Sequence, residues 1–574
     1  MALARVSTPP RRCDVVVVGA GLSGLETAAE LLRAGVQDIV VLEAGPATRT
    51  NEPRPTAENG ETTPATRNGE TGLAARNSEA ASTAQTNEPK PAPRNDQAGP
   101  AARNGETEPT AGNGEIRPAT RDSEPGPTTE NGGAGPDLAA DWNRPGRDPA
   151  LWRPWSSDRL PHYGGDYGIR RKVGGRSLYW RGIVLPIEDW ALGDPVWPAA
   201  VRRDLGQGWR GGAGLYQRVL RDLGDWSGRA LEAPRSPNEQ ALLDLLTGAA
   251  ALPVRPVPVA RRYWAEGSRL CWEPYGPLGR WMDAGGRIGG EATPLVVPDC
   301  TVVEIDVASA RVTGVGFRRT GTRERHWIDC GFVVLAAAAV ENARLVAQAG
   351  PGGRSFAGLN DHLRQGFLVR TAAGGRPVPA GLAFLPATAR QRSNVFVEAR
   401  PADAAGFAVW DVWGIGEQER SDFGRVSFDA TTGVPWSSRI AVGLSPRDEV
   451  TVEAQRRQLL QVWTGLRPLL SLGPEPPRFG GFLAGTPTYP QAYEQVLNAE
   501  PGRPIAYCAP LGSVDHEGGL TPLGDVLHES GEVAGISGLF VVGPGTFPRS
   551  GAANPSLTTL ALARRTARTI AGGT

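Results

Sequence analysis

The sequence predicts an α/β fold in two domains, on three observations. Residues 13–45 read as one β-α-β unit, residues 301–349 as a run of strands closing in a helix, and residues 367–452 as a second run of strands. At the level of the whole chain this is an α+β two-domain arrangement, one domain holding the β-α-β unit and the other built on the later sheet. The 574 residues suffice for two or more cores.

The first strand is Cys13–Val18, a continuous β-branched run of the kind buried on both sheet faces. A glycine-rich turn, Gly19-Ala-Gly21-Leu22-Ser23-Gly24, leads into a helical period over Leu25–Arg33. Ile39–Leu42 is the second strand, and Glu43 closes the unit. Further on, Thr301–Val307, Arg311–Arg318, Glu324–Asp329 and Phe332–Leu335 read as a small meander, followed by a helix from Val340 to Ala349. Strands are expected at Phe396–Arg400, Ala408–Val412, Arg425–Phe428 and Arg439–Gly443, and an amphipathic helix at Val452–Leu469. Gly538–Val542 is another buried strand, and Thr558–Ala571 a closing helix.

Between the β-α-β unit and the tryptophan cluster that begins near Asp141, the pattern breaks. Residues 46–138 are rich in Pro, Thr, Asn, Gly, Glu and Ala, and repeat Asn-Gly-Glu-Thr at Asn59, Asn68 and Asn104, with Asn113-Gly-Glu115 a truncated copy. Such a stretch cannot bury enough apolar surface to offset its ordering entropy and is expected to be a disordered insert. A repeat without a hydrophobic face has nothing to stack as a solenoid.

Lys+Arg and Asp+Glu both total 61, so the chain is neutral and gives no electrostatic case for nucleic acid or an anionic membrane. Only Lys90 and Lys172 are lysines, a bias we read as high-GC bacterial coding. Five scattered cysteines, none in a Cys-x-x-Cys pair, argue against a disulfide framework or a zinc site and fit a reduced, cytoplasmic setting. No apolar run approaches the ~20 residues of a membrane span. Arg11-Arg12 before an apolar stretch is explained by the buried strand rather than by an export signal.

The glycine motif carries the first chemistry. Gly19 permits the tight strand-to-helix turn, Gly21 lets backbone approach a pyrophosphate at the helix N-terminus, and Gly24 allows close packing. Glu43, 19 residues after Gly24, can accept hydrogen bonds from ribose hydroxyls. Leu22 and Ser23 complete the turn. The unit by itself does not separate NAD from FAD.

Four further segments do, by resemblance. Val173-Gly174-Gly175-Arg-Ser177-Leu-Tyr179-Trp180 resembles the Gly-Gly-x-Ser-x-x-Trp segment along the flavin in glucose–methanol–choline (GMC) oxidoreductases, closest to the pyranose oxidase and gluconate dehydrogenase branch. Val334–Leu345 is similar to the family's Leu-Ala-Ala-Gly-Ala-x-Glu-x-x-Arg-Leu segment, with Ala338 where glycine is usual. Asn360-Asp361-His362 resembles its Asp-His pair. Gly543-Pro-Gly545, leading into Asn554-Pro555-Ser-Leu-Thr558, resembles its C-terminal flavin signature. The resemblance implies an FAD-binding Rossmann-like domain (residues 12–45, 139–365 and 501–574), a β-sheet substrate domain (366–500), and the long disordered insert (46–138). It implies that Gly19, Gly21, Leu22, Ser23, Gly24, Glu43, Gly174, Gly175, Ser177, Gly543, Asn554, Pro555 and Thr558 bind FAD.

Two departures from the family bear on the chemistry. The histidine that bonds flavin covalently in pyranose oxidases is Tyr179 here, so non-covalent FAD is expected. The family's catalytic histidine falls at Ala509, 45 residues before Asn554, so the partner asparagine is kept and the base is not. Tyr507, Cys508, Asp515 and His516 are the nearby candidates for a substitute, His516 first by its pKa. The plainer reading of His516 is an exposed loop histidine beside Gly518-Gly519; Cys508 reads as a core thiol and His362 as structural or interfacial. The implied function is hydride transfer from a CH–OH group of a small-molecule substrate to FAD, with Asn554 and His516 as catalytic candidates and no metal. A non-redox lyase or cyclase that retains FAD, and a flavin-binding protein without catalysis, stand as alternatives because of Ala509.

Overall fold

The computed structural model describes residues 9–46, 56–57, 150–164, 167–266, 269–277, 287–288, 291–292, 294–350, 353–372, 379–400, 406–482 and 486–572. The low-complexity stretch expected at 46–138 lies almost wholly outside them.

The four valines of Arg12–Val18 form the middle of a mostly parallel sheet because they are apolar on both sides. Val15, Val17 and Val41 pack beneath the helix Leu22–Arg33, while Val16, Val18 and Leu42 face the other layer. Ile39–Leu42 and Leu295–Val297 extend this sheet on one side, and Arg325–Leu335 on the other, all parallel to Arg12–Val18. The strand Arg325–Leu335 serves two partners. Its first half pairs antiparallel with Arg311–Arg319, which in turn pairs with Cys300–Ala308; its second half pairs parallel with Leu539–Val541.

That strand corrects the expected break between Asp329 and Phe332. Gly331 reads as a turn in sequence, yet Cys330 registers opposite Cys13 and Phe332 opposite Val15, so the extended backbone runs through. Leu295–Val297, three residues long, is too short to show a period.

The closing helix Ser556–Ala571 returns the C-terminus to the first one. Arg564 donates to Glu26 (2.7 Å) and to Asp222 (2.7 Å), and Tyr275 donates its hydroxyl to Glu26 (2.9 Å). The Glu26 carboxylate is fully buried, so these charge-assisted bonds replace its lost water and tie three helices together.

The second sheet is antiparallel, in the order Pro504–Cys508, His362–Ala372, Phe407–Glu417, Ser393–Ala399, Gly381–Leu385, with Arg255–Pro256 at the far edge. One face, with Phe367, Val369, Val395, Val397, Trp410 and Val412, is covered by the long helix Pro446–Leu469. That helix starts six residues before the expected Val452. Ser445 and Asp448 form a capping box there and Pro446 occupies the first turn, a start signal independent of the apolar period. The opposite face carries Arg364, Leu368, Asp411, Trp413, Phe396 and Glu398. No helix among the described residues is long and apolar enough to cross a membrane.

Candidate active site

One cleft runs from the glycine turn to the second sheet. At its first end, Gly19 (φ +102°) turns the chain into the helix, and a Cβ there would meet the Ala336 carbonyl oxygen at 2.5 Å. A Cβ at Gly24 would meet the Gly19 oxygen at 2.0 Å, so only glycine lets the helix sit this close. Gly21 differs: a Cβ there would project into open space beside the helix N-terminus, where unpaired backbone N–H groups await an anion. Gly174-Gly175 docks against this turn. Gly174 N donates to Ala20 O (2.8 Å), and the Cβ position of Gly175 lies 3.4 Å from Gly21 Cα.

Glu43 is buried at the end of the second strand and accepts from Ala20 N (2.9 Å) and Gly45 N (2.8 Å). Burial pushes its carboxyl up to about 7, against the pull of those two N–H groups and of Arg171. A pyrophosphate at the open face of Gly21 and a ribose at Glu43 match this end of the cleft, so the residues present fit a dinucleotide cofactor.

Leu22, Ser23, Gly175, Ser177, Tyr179, Pro544 and Pro555 also line the cleft. Thr558, expected to bind FAD, is fully buried and hydrogen-bonded to the Tyr216 hydroxyl (2.9 Å), while its neighbour Thr559 lines the cleft. One helical residue is about 100° of rotation, enough to exchange a lining position for a core position. Gly543 (φ +104°) acts through the turn it permits before Pro544. Ala338, at the family's glycine position, is held at φ +73°, ψ 162°, a conformation close to glycine-only.

At the second end, Ala509 and His516 line the same cleft. His516 is half-buried rather than exposed. Its Nδ1 lies 3.0 Å from His362 Nδ1, and its Nε2 lies 3.4 Å from Asn554 Nδ2. The loop that carries it is held at two points. The Asp361 carboxylate accepts backbone N–H from His362 (2.7 Å), Val514 (3.0 Å) and His516 (3.2 Å). Arg176, from the Gly-Gly segment, forks onto Glu517 and reaches Asp515 at 3.1 Å. The loop is as the sequence reads it, but the expected exposure is not, because both anchors lie more than 150 positions away in sequence.

Burial, then His362, Arg176 and Arg364, hold the His516 imidazole well below the usual range. Burial pushes His362 down to about 4, against a backbone interaction with Gly551, and its Nε2 is buried without a hydrogen-bond partner. Both rings are therefore neutral near pH 7, and one proton lies between the two Nδ1 atoms. In the tautomer with the His362 proton on Nε2, His362 Nδ1 accepts and His516 Nδ1–H donates. His516 Nε2 is then left as a lone pair beside Asn554. The Asn554 Oδ1 is buried without a protein partner.

Asp361, His362 and His516 offer ligand atoms within 4.8 Å of one another, a spacing a metal ion could use. The carboxylate already accepts three N–H groups, and the two imidazoles already face each other through Nδ1. Cys508 is buried, its thiol pushed up to about 11 by that burial, as expected of a core cysteine.

Comparison with known proteins accords with this geometry. Residues 420–563 match the family model described as GMC oxidoreductase, and residues 12–88 one described as FAD binding domain. No curated protein matches significantly. Among solved structures, a pyridoxine 4-oxidase from Mesorbium loti aligns over 97% of this chain and 99% of its own, with TM-score 0.56 and 16% identity. An FAD-dependent oxidoreductase from Chaetomium thermophilum, in complex with a butanamide fragment, aligns over 98% and 99%, with TM-score 0.57 and 14% identity. At such identities the likeness speaks for the fold.

Proposed function

From a chain of the GMC oxidoreductase type, with its FAD-binding domain joined to that family's C-terminal domain, we propose an enzyme that oxidises a CH–OH group of a small molecule, with His516 as the base that Ala509 cannot be. The observation that carries this reading is the His362–His516–Asn554 chain of contacts beside Ala509. A protein named pyridoxine 4-oxidase stands among the structures that share this fold.

FAD, held without a covalent link because Tyr179 stands at the attachment position, supplies the hydride acceptor when bound. Every other part is assigned to the chain. A substrate hydroxyl placed between His516 and Asn554 donates its proton to His516 Nε2 and accepts from the Asn554 amide. His362 Nδ1 holds the His516 Nδ1 proton and so keeps Nε2 free. As the C–H electron pair departs with its hydrogen, the hydroxyl proton passes to Nε2 and a carbonyl forms. A positioned base contributes ~10²–10⁴-fold, about 3–5 kcal/mol of barrier.

The experiment is anaerobic flavin reduction by a panel of primary alcohols and sugars, in wild type, His516→Ala and Ala509→His. His516→Ala should slow reduction by about 10²-fold or more. Reduction at the wild-type rate in His516→Ala would remove His516 from the mechanism. Turnover of a natural substrate without flavin bleaching would favour the non-redox lyase or cyclase.

A further inference from the structure

Arg364 lies two residues after His362 on the same strand face and lines the cleft with Ala509, Tyr489 and His516. Ala509 N donates to the Arg364 carbonyl (2.9 Å), so this arginine stands directly across from the position where the family keeps its base. Its guanidinium lies among three rings, 5.2 Å from the centroid of Tyr489, 5.7 Å from Tyr507 and 5.8 Å from Trp413. Gly366 makes room for this arrangement, because a Cβ there would meet the Tyr507 ring at 2.8 Å.

The nearby charges do not balance. Glu398 is taken by Arg181 and by Arg400 (3.5 Å), which hold its carboxyl at about 2 despite burial. Asp411 accepts from the Tyr507 hydroxyl (2.8 Å) and faces Arg400 at 3.9 Å. Among the described residues no carboxylate forms an ion pair with Arg364, and its buried Nε has no acceptor. Ring faces, the Tyr507 hydroxyl and the charge of Asp411 offset part of the cost of such a cation, but no carboxylate closes its in-plane N–H fork. A fork of that shape in an aromatic wall matches a planar carboxylate.

We propose that Arg364 is a substrate-recognition residue, and that the substrate is a hydroxylated carboxylic acid whose carboxylate sits on the Arg364 fork while its hydroxyl meets His516 and Asn554. The inference deepens the functional reading above and rests on its assignment of this end of the cleft to substrate. It adds a consequence. Arg364 is one of the charges that hold His516 down, so an anion that neutralises it makes His516 the stronger base only once substrate is bound.

The test is binding to the FAD-loaded enzyme, read as perturbation of the flavin absorption spectrum and so independent of turnover. Two probe pairs are titrated, benzoate against benzamide and hexanoate against hexanamide. Wild type should prefer the carboxylate of at least one pair by about 10–100-fold, as a charge-assisted fork provides. Arg364→Gln should abolish that preference, and Arg364→Lys, which keeps the charge without the fork, should retain part of it. No preference in either pair, or a preference that survives Arg364→Gln, overturns the proposal. So does a changed flavin midpoint potential in Arg364→Gln with carboxylate preference intact, which would set the arginine against the flavin ring. Failure of alcohols to bleach the flavin while the carboxylate preference holds would instead count against the oxidoreductase reading alone.

Discussion

The Nδ1 atoms of His516 and His362 lie 3.0 Å apart, and on the proposed mechanism the proton between them determines which face of His516 is basic. The depressed His516 titration has a definite sign. The base works when deprotonated, so the flavin-reduction rate should stay level as pH falls through about 6.5, the ordinary histidine value, and decline only below it. A pH–rate profile with its acid limb at or above that value would contradict the assignment. His362→Phe removes the acceptor for the Nδ1 proton, allows it to move to Nε2, and should lower the reduction rate about 10²-fold with little change in substrate affinity; His362→Gln, which presents an acceptor oxygen, should restore part of the loss. Ala338 offers a different residue-scale test. Its backbone stores roughly 1–3 kcal/mol of strain, and glycine gives back about 0.5–1 kcal/mol in lost chain entropy. Ala338→Gly should raise the denaturant midpoint of the holoenzyme, by about 1 kcal/mol of stability; a lowered midpoint would mean the strain is relieved elsewhere.

At the scale of elements, the loop 513–517 behaves as part of the scaffold because charges from distant segments hold it. Arg176→Ala would leave Glu517 and Asp515 without their cation in a buried position, a change that costs about 3–5 kcal/mol in comparable buried pairs. We expect a lower melting temperature together with a slower flavin reduction than the stability loss alone explains, since His516 loses its placement. Unchanged reduction kinetics in a destabilised Arg176→Ala protein would show that Asp361 alone positions the loop. The same contrast between local and distant signals runs through the fold. The β-α-β unit was legible because strand, turn, helix and Glu43 lie within 13–45 and each has its own period or residue signature. Helix Pro446–Leu469 was legible in its apolar part and mis-started only where capping replaced periodicity. The continuous strand Arg325–Leu335 was not, because what keeps Gly331 extended is its pairing with the first strand.

For the whole molecule, the composition of 46–138 sets the expectation that this stretch contributes no core. Replacing residues 48–136 with a short Gly-Ser linker should leave flavin content and melting temperature nearly unchanged, since each doubling of loop length costs only about 0.6 kcal/mol. A drop of more than a few degrees, measured by thermal melting with flavin fluorescence, would show that the segment packs on the domain. Precipitation by heat or acid should release FAD to the supernatant; yellow pellet would show a covalent link despite Tyr179. The sequence alone carries the expectation of a nucleotide end of the cleft and of a missing base at Ala509, because a helix N-terminus, its glycines and Glu43 are arranged by neighbours in the chain, and because a missing side chain is visible without coordinates. Only tertiary structure decided which side chains stand beside Ala509. His516, His362, Arg364 and Asn554 come from three separated segments, converging through the Asp361 carboxylate, the Arg176 fork and the register of the second sheet, and none of these contacts leaves a periodic trace in the residues that make them.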